Sequence, residues 1–320
     1  MASSRLPNSS KVGVRMDIKA WRSSDGDLAE IRKFLVMSHG PGITDEWVRA
    51  KFGDLDHTAV AALGYVDGIP AGMVAFGKVR YEYGGRRHDA AVSYDTFVAK
   101  QHRGVGAFKT LLRSAEALAE DSGAELFLNF PNHQSRRGFV SAGWTALSPA
   151  RAYVAPTSVR AVRVMRDRRA NFSPDKNVGP PREVPRGAAP PDVFQYEASA
   201  KQSGFRFARG RGDGYVCHRI AGSPVFLRVG VRGSLREAQL LALPSTFLTV
   251  RRLWEIRDWA RRSCGVDLVS LLLASETSHA GQLLGAGFLP AGEVVVPYMK
   301  AGAMGIPQRY QLTGVDIHTW

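Results

Sequence analysis

The stretch Thr96-Phe-Val-Ala-Lys-Gln-His-Arg-Gly-Val-Gly-Ala-Phe-Lys-Thr-Leu-Leu-Arg113 decides how the rest of the chain is read. Phe97 and Val98 finish an apolar run, and Gly104 and Gly106 bracket Val105. Phe108, Leu111, Leu112, Ala115 and Ala119 then recur at helical spacing. A strand–turn–helix junction of this kind presents unpaired backbone N–H groups at a helix N-terminus, which is a ready anion site. Glycine suits it because a side chain would hold a phosphate away from the backbone. The spacing predicts a loop that holds a pyrophosphate.

Working outward, residues 16–22 read as a first strand. Asp25 or Asp27 caps a helix running to about Ser38, ended by His39-Gly40-Pro41-Gly42, and Thr44-Asp45-Glu46-Trp47 opens a short second helix. Residues 59–66 and 72–83 are strands joined by the hairpin signal Asp67-Gly68, and Gly84-Gly85 turns into a strand over 90–99. Past the opening stretch, Gly123 closes the helix and 125–130 is a short buried strand. Asn132 or Ser135 caps a helix reaching Gly143, and 144–165 has the alternation of further strands. This order fits an α+β fold, a mixed α/β sheet layer with one open face.

Residues 1–15 read as a disordered tail, 16–165 as a first domain, 166–192 as a Pro- and Arg-rich linker and 193–320 as a second domain. The second domain repeats the first. Glu125-Leu-Phe-Leu-Asn-Phe with Gly143-Trp144 matches Asp267-Leu-Val-Ser-Leu-Leu with Gly287-Phe288, and Leu111-Leu112 faces Leu253-Trp254. Where the first copy has Gln-His-Arg-Gly-Val-Gly, the second has Leu243-Pro-Ser-Thr-Phe-Leu248 and no glycine. The phosphate site is therefore expected in the first copy alone.

Composition sets the outer bounds. The 320 residues are 44% hydrophobic and 22% charged, ordinary for a globular chain, with a net charge of +14 that favours phosphorylated or acidic partners. Two cysteines, Cys217 and Cys264, make no framework, and no apolar run reaches the about 18 residues of a membrane span. A cytoplasmic protein without membrane association is expected. Helix-turn-helix, zinc-finger and RNP patterns are absent, which argues against nucleic acid as partner despite the charge. HExxH, GxSxG and metal-ligand spacings are absent too, and no metal site is expected.

Gln101-His-Arg103-Gly104-Val-Gly106, followed by Asn132, Phe139 and Gly143-Trp144, resembles the signature of the GNAT (Gcn5-related) N-acetyltransferase superfamily. The resemblance implies tandem GNAT-like folds, the second degenerate, and acetyl-CoA or another acyl-CoA as cofactor. It implies that Phe97, Val98, Gln101, His102, Arg103, Gly104, Val105, Gly106, Ala107 and Asn132 line the cofactor site. A narrower likeness, through Phe130-Pro131-Asn132-His-Gln-Ser135-Arg-Arg-Gly138-Phe139 with Asp95-Thr96, is to two-lobed bacterial proteins encoded with surface-polysaccharide genes. It implies a small-molecule amine acceptor, a nucleotide-linked amino sugar among the options, and admits a homodimer through the second lobe.

The family chemistry is attack of a neutral amine on a thioester, which needs a base, an oxyanion donor and an acid for the thiolate. The donor is expected to be a backbone N–H near Val98. Val92 stands where some relatives carry a glutamate base, so Asp95 is the candidate, either as base through a water or as a residue that orients substrate hydroxyls; a plain strand-end hydrogen bond is the rival reading. Asp89 belongs to the hairpin surface. Phe139 replaces the tyrosine of many relatives and cannot donate a proton, which leaves Tyr94, Ser135 or solvent. Trp254 and Trp259 on the Arg-rich helix of the second copy are read as core residues in preference to base-stacking platforms.

Overall fold

The computed structural model describes residues 16–25, 27–53, 59–164, 172–174, 194–196, 215–220, 223–243, 248–275 and 278–313. The tail 1–15, and the linker apart from 172–174, fall outside them.

The first lobe begins with β1 (Asp17–Arg22), α1 (Leu28–His39) and α2 (Asp45–Val48), which runs into one π-helical turn, Arg49–Gly53. Asp27 accepts the Glu30 N–H to start α1 and Thr44 Oγ1 accepts the Trp47 N–H to start α2, both ordinary caps. An antiparallel meander follows: β2 (Ala59–Val66), β3 (Ile69–Tyr83) and β4 (Arg86–Val98). Asp67 and Gly68 both take positive φ, 52° and 75°, as a two-residue hairpin turn of matching twist requires. Then come α3 (Ala107–Asp121), β5 (Leu126–Asn129), α4 (Arg136–Ser141), β6 (Thr145–Ala146), β7 (Ala150–Pro156) and α5 (Val159–Val164).

Residues 159–164 were expected as strand and are helix. Thr157 Oγ1 ties the end of β7 to the Val266 carbonyl, and Ser158 Oγ then accepts the Ala161 N–H, which starts a helical turn. Val159 and Val162, three residues apart as on one side of a helix, are exposed.

The sheet is packed on both faces. On one, Ile31, Phe34 and Leu35 of α1 and Val48 of α2 meet Trp21, Leu63, Met73 and Ala75. On the other, Leu111, Leu112 and Ala115 of α3 and Phe139 of α4 meet Val60, Ala62, Val74, Phe76 and Ala91. Each large apolar side chain fully buried this way contributes about 1.5–3 kcal/mol.

After β8 (Phe172–Pro174) and β9 (Phe194–Tyr196), the second lobe repeats the plan as β10 (Tyr215–Ile220), β11 (Ser223–Arg232), β12 (Leu235–Ala242), α6 (Val250–Cys264), β13 (Leu268–Ser275), α7 (Ala280–Gly285), β14 (Leu289–Val295) and β15 (Tyr298–Ala301), with a final β16 (Tyr310–Thr313). Gly143 and Gly287 both turn at positive φ after their short helices. In the long helices the buried set Leu112, Ala115, Ala119 corresponds to Leu253, Ile256, Ala260. Gly123 and Gly265, which end these helices, both take positive φ, at the offset read from sequence. Trp254, expected in the core, is 46% exposed and stacks on the Arg257 guanidinium at 4.0 Å. Trp259 stacks on His218 at 4.1 Å.

The lobes exchange a strand. β15 of the second lobe lies between β5 and β6 of the first, with Met299 opposite both Leu128 and Thr145. Reciprocally, β7 of the first lobe lies between β13 and β14 of the second, with Val154 opposite both Ser270 and Leu289. A shared core unites Val92 and Leu128 with Phe226, Leu241, Met299, Tyr310 and Leu312. Among the described residues no helix is long and apolar enough to cross a membrane.

Candidate functional site

Gln101, His102, Arg103, Gly104, Val105 and Gly106 form the turn from β4 into α3, exposed from Arg103 to Gly106, and Ala107 is the buried first residue of α3. Arg103 Nε donates to the Val98 carbonyl at 2.8 Å, pinning the loop to the strand it leaves. Gly104 and Gly106 take φ of +79° and +85°, and a Cβ at either would project into open space. Backbone geometry, not crowding, therefore demands glycine here. The first backbone bond into α3 is Thr110 N–H to Gly106, at 3.2 Å. The amides of Ala107, Phe108 and Lys109 precede it and have no intrahelical acceptor. Gly106 supplies no capping side chain, and the first turn carries no acidic residue. These donors have no acceptor within the helix, the arrangement in which a helix N-terminus can hold an anion.

Beside this loop the sheet opens. β4 and β5 run parallel in register only from Ala90↔Leu126 to Val92↔Leu128, yet β4 continues to Val98. A bulge sits where they part: Tyr94 and Asp95 stand against the single Ala75 of β3. Beyond it, Ala99 N–H donates to Ala71 at 2.8 Å. Antiparallel alternation then sends the groups of Phe97 to β3 as well and turns those of Val98 away from it, into the slot. The Val98 carbonyl is taken by Arg103, and its N–H is a donor facing the slot. The backbone N–H singled out in the sequence, that of Val98, therefore faces this slot.

Both features are closed in the second lobe. Thr249 Oγ1 accepts the Arg252 N–H and caps α6 with the protein's own side chain. Pairing of β12 with β13 stops at Leu240↔Leu271, and β16 fills the space beyond. Leu273 is paired with both Arg151 of β7 and Thr313 of β16, so those strands flank β13 on opposite edges, and β16 is on the β12 side. Gln311 Nε2 donates to the Leu243 carbonyl and Thr313 Oγ1 to the Leu241 carbonyl, both at 2.7 Å, satisfying the edge that β13 has left. Residues 244–247, which replace the glycine loop, lie outside the described residues.

Asp95 is engaged on the α1 side of the sheet. Its carboxylate, 7% exposed, meets Lys51 Nζ at 2.8 Å through one oxygen and His39 Nε2 at 3.0 Å through the other. Lys51, also 7% exposed, comes from the π-helical turn and lies 4.8 Å from the centre of the Trp47 ring. Burial pulls the Asp95 carboxyl upward, but Lys51 and His39 together outweigh it and hold the group below its ordinary range. Asp95 is thus an ionised anchor with both oxygens occupied, which weighs against its taking a proton itself. His39 is the accessible member, 42% exposed, at the last position of α1 where the helix C-terminus favours a cation. Sequence reading missed His39, seen only as part of a helix stop, and Lys51, whose spacing carries no signal of burial.

The remaining candidates are placed as follows. Asn132 Oδ1 accepts the N–H groups of Gln134 and Ser135, both at 3.0 Å, and the Ser135 hydroxyl donates back to Asn132, so both shape the turn into α4. Tyr94 lies in β4 at the bulge, its side chain outside the described set. Phe97 packs near Phe34 with ring centres 6.4 Å apart. Phe139 is buried between Phe108 and Trp144, at 5.2 and 5.0 Å. Asp89 pairs with Lys78 and Arg80 on the hairpin, as expected.

Residues 28–144 match the model of the acetyltransferase (GNAT) family. No curated protein matches the sequence. Among solved structures, the chain is similar to a protein of unknown function from Enterococcus faecalis described as a probable N-acyltransferase, at 9% identity and a TM-score of 0.61, covering 91% of this chain and 73% of that one. It is similar also to GCN5-related N-acetyltransferases from Anabaena variabilis (12% identity, TM-score 0.56, 89% and 73% covered) and Kribbella flavida (12%, 0.54, 92% and 73%). These likenesses span both lobes and establish the tandem GNAT-like fold.

Proposed function

With residues 28–144 carrying the GNAT acetyltransferase family pattern on a GNAT-like fold, we propose that the chain is an acyl-CoA-dependent N-acyltransferase whose single catalytic centre lies in the first lobe. The observation that carries this reading is an uncapped α3 N-terminus beside an open β4–β5 slot, where the second lobe closes both with its own residues. The amides at Gly104–Lys109 would hold the pyrophosphate, and the slot beyond Val92 the pantetheine arm. Acyl-CoA supplies the activated thioester; the Val98 N–H supplies a donor for the charge that develops on its carbonyl. Tyr94, Ser135 or solvent would meet the thiolate. The acceptor is a small-molecule primary amine entering from the α1–α2 side, a nucleotide-linked amino sugar being one that the net charge of +14 suits. Two cysteines and the cofactor class fit an enzyme of the cytoplasm.

Titration calorimetry with acetyl-CoA, followed by thiol release with amino sugars, aminoglycosides, polyamines and peptides, tests this. Wild type should bind and turn over at least one acceptor, and Gly104→Glu should abolish binding while leaving the circular dichroism spectrum intact. Unchanged affinity in that variant would place the phosphates elsewhere. One observation favours a second reading, a binding protein without turnover: Phe139, at the position of the relatives' tyrosine, is a core residue without a proton to give. Binding without turnover across the panel would select it.

A further inference from the structure

We propose that His39 accepts the proton of the incoming amine, that Asp95 fixes its tautomer, and that Lys51 is the counter-charge that keeps Asp95 ionised. The inference rests on the acyl-transfer reading above and assigns a proton acceptor that the sequence left open.

The arrangement is built, not incidental. Asp95 is held at the bulge where β4 leaves β5, the point at which the slot opens. An ionised carboxylate only accepts hydrogen bonds, so His39 Nε2 must carry the hydrogen that points at Asp95 Oδ1 at 3.0 Å. In the neutral ring this leaves Nδ1 with a free lone pair, the state a general base requires. Among the described residues, the charged groups around the ring are Asp95 from β4, at its edge, and Lys51 from the π-helical turn, sharing the other Asp95 oxygen. Trp47 from α2 lies 6.2 Å away, ring centre to ring centre.

Two faces of the sheet also converge. α3, with its uncapped amides, packs on one face, while α1 and the His39–Asp95–Lys51 cluster belong to the other. The slot joins them, so an acyl donor anchored at α3 and an amine arriving beside α1 meet at the edge of β4. The protons balance as follows. The acceptor ammonium gives one proton to His39 Nδ1. The neutral amine forms its C–N bond as the thioester C–S bond breaks, and its second proton ends on the departing thiolate as free thiol. His39 returns its proton to water.

The test uses the full chain, acetyl-CoA and the best amine of the panel. His39→Gln should bind acetyl-CoA within twofold of wild type but lose roughly 10²-fold or more in kcat/KM for the amine. The acid limb of the wild-type pH–rate profile should disappear with it. Exogenous imidazole should restore part of the rate to His39→Ala. Independently of turnover, nitrogen-detected NMR of the His39 ring should report the Nε2–H tautomer in wild type. It should report a mixed tautomer in the charge-neutral pair Asp95→Asn/Lys51→Met. An unchanged rate and acid limb in His39→Gln, or an Nδ1–H tautomer in wild type, would overturn the assignment of His39 alone. Acetyl-CoA binding with no thiol release from wild type on any amine would overturn the acyl-transfer reading, and the role of His39 with it.

Discussion

Replacing Asp95 by asparagine tests the most consequential buried interaction of the first lobe. The substitution keeps the shape of the side chain but removes the charge that Lys51 faces at 2.8 Å, with both groups 7% exposed. Breaking a buried pair by removing one partner costs about 3–5 kcal/mol, because the other charge stays desolvated without compensation. A chain of this length gains about 0.7 kcal/mol/K of unfolding entropy, at roughly 2.1 cal/mol/K per residue, so the melting temperature should fall by about 5–7 °C. Changing Lys51 to methionine in the same molecule removes the stranded charge and should recover most of the loss, which a double-mutant cycle measures. The pH dependence has a fixed sign. Lys51 and His39 outweigh burial and hold the Asp95 carboxyl below its ordinary value. Its stabilisation is therefore whole above about pH 4 and drains away as pH falls through the lowered value. Denaturant melts across pH 3–7 should show a flatter acid limb for Asp95→Asn than for wild type. A single mutant within about 0.5 kcal/mol of wild type at pH 7 would refute the buried-pair argument.

Gly104→Ala meets no atom within 4 Å but forces an alanine to φ +79°, so it should cost about 1–2 kcal/mol of stability and weaken acetyl-CoA binding in calorimetry; an unaltered melting curve would show that the loop relaxes freely. Glu116 accepts from Trp144 Nε1 at 2.7 Å and Lys300 Nζ at 2.5 Å, joining α3 to the exchanged β15, and Glu116→Ala should lower stability by about 2–3 kcal/mol in urea melts. Ending the chain after residue 164 removes β15 from between β5 and β6, so the fragment should show no cooperative thermal transition on its own. Co-expression with 165–320 should restore one, and an independently cooperative fragment would mean that β15 is dispensable.

What the sequence disclosed follows the range of the forces involved. Asp67-Gly68 and the glycine loop were readable because each depends on φ values that few residues adopt, and Asp27 and Thr44 because a cap bonds within three residues. The repeat located both long helices, yet the burial expected of Trp254 did not follow. An Arg-rich helix buries only Leu253, Ile256 and Ala260, and Trp254 lies over Arg257 instead. Residues 159–164 failed because the helix there is started by the Ser158 hydroxyl, while Val159 and Val162 are exposed and mark no buried face to read. The cluster of His39, Lys51 and Asp95 draws on three elements far apart in the chain, and the exchange of β7 and β15 keeps the same local patterns while changing only the partner. Neither leaves a mark that spacing can show.

The two slots pose one physical problem with two solutions. Where parallel strands part inside a packed sheet, backbone groups on the newly made edges need partners, since buried and unpaired ones cost free energy. In the second lobe the chain supplies them itself: β16 pairs with β13, and the side chains of Gln311 and Thr313 bond the carbonyls of Leu243 and Leu241. In the first lobe no described segment enters beyond Val92, so Val98 N–H and the α3 amides fall to water or to a ligand. A ligand that fills this slot must then stabilise the whole interlocked molecule, because β15 couples the first sheet to the second lobe. At a hundredfold excess over Kd, acetyl-CoA should add about 2.7 kcal/mol, or about 4 °C at the unfolding entropy used above. The same addition to Gly104→Glu should move nothing. A shift of equal size in both proteins would show that the ligand binds away from the loop.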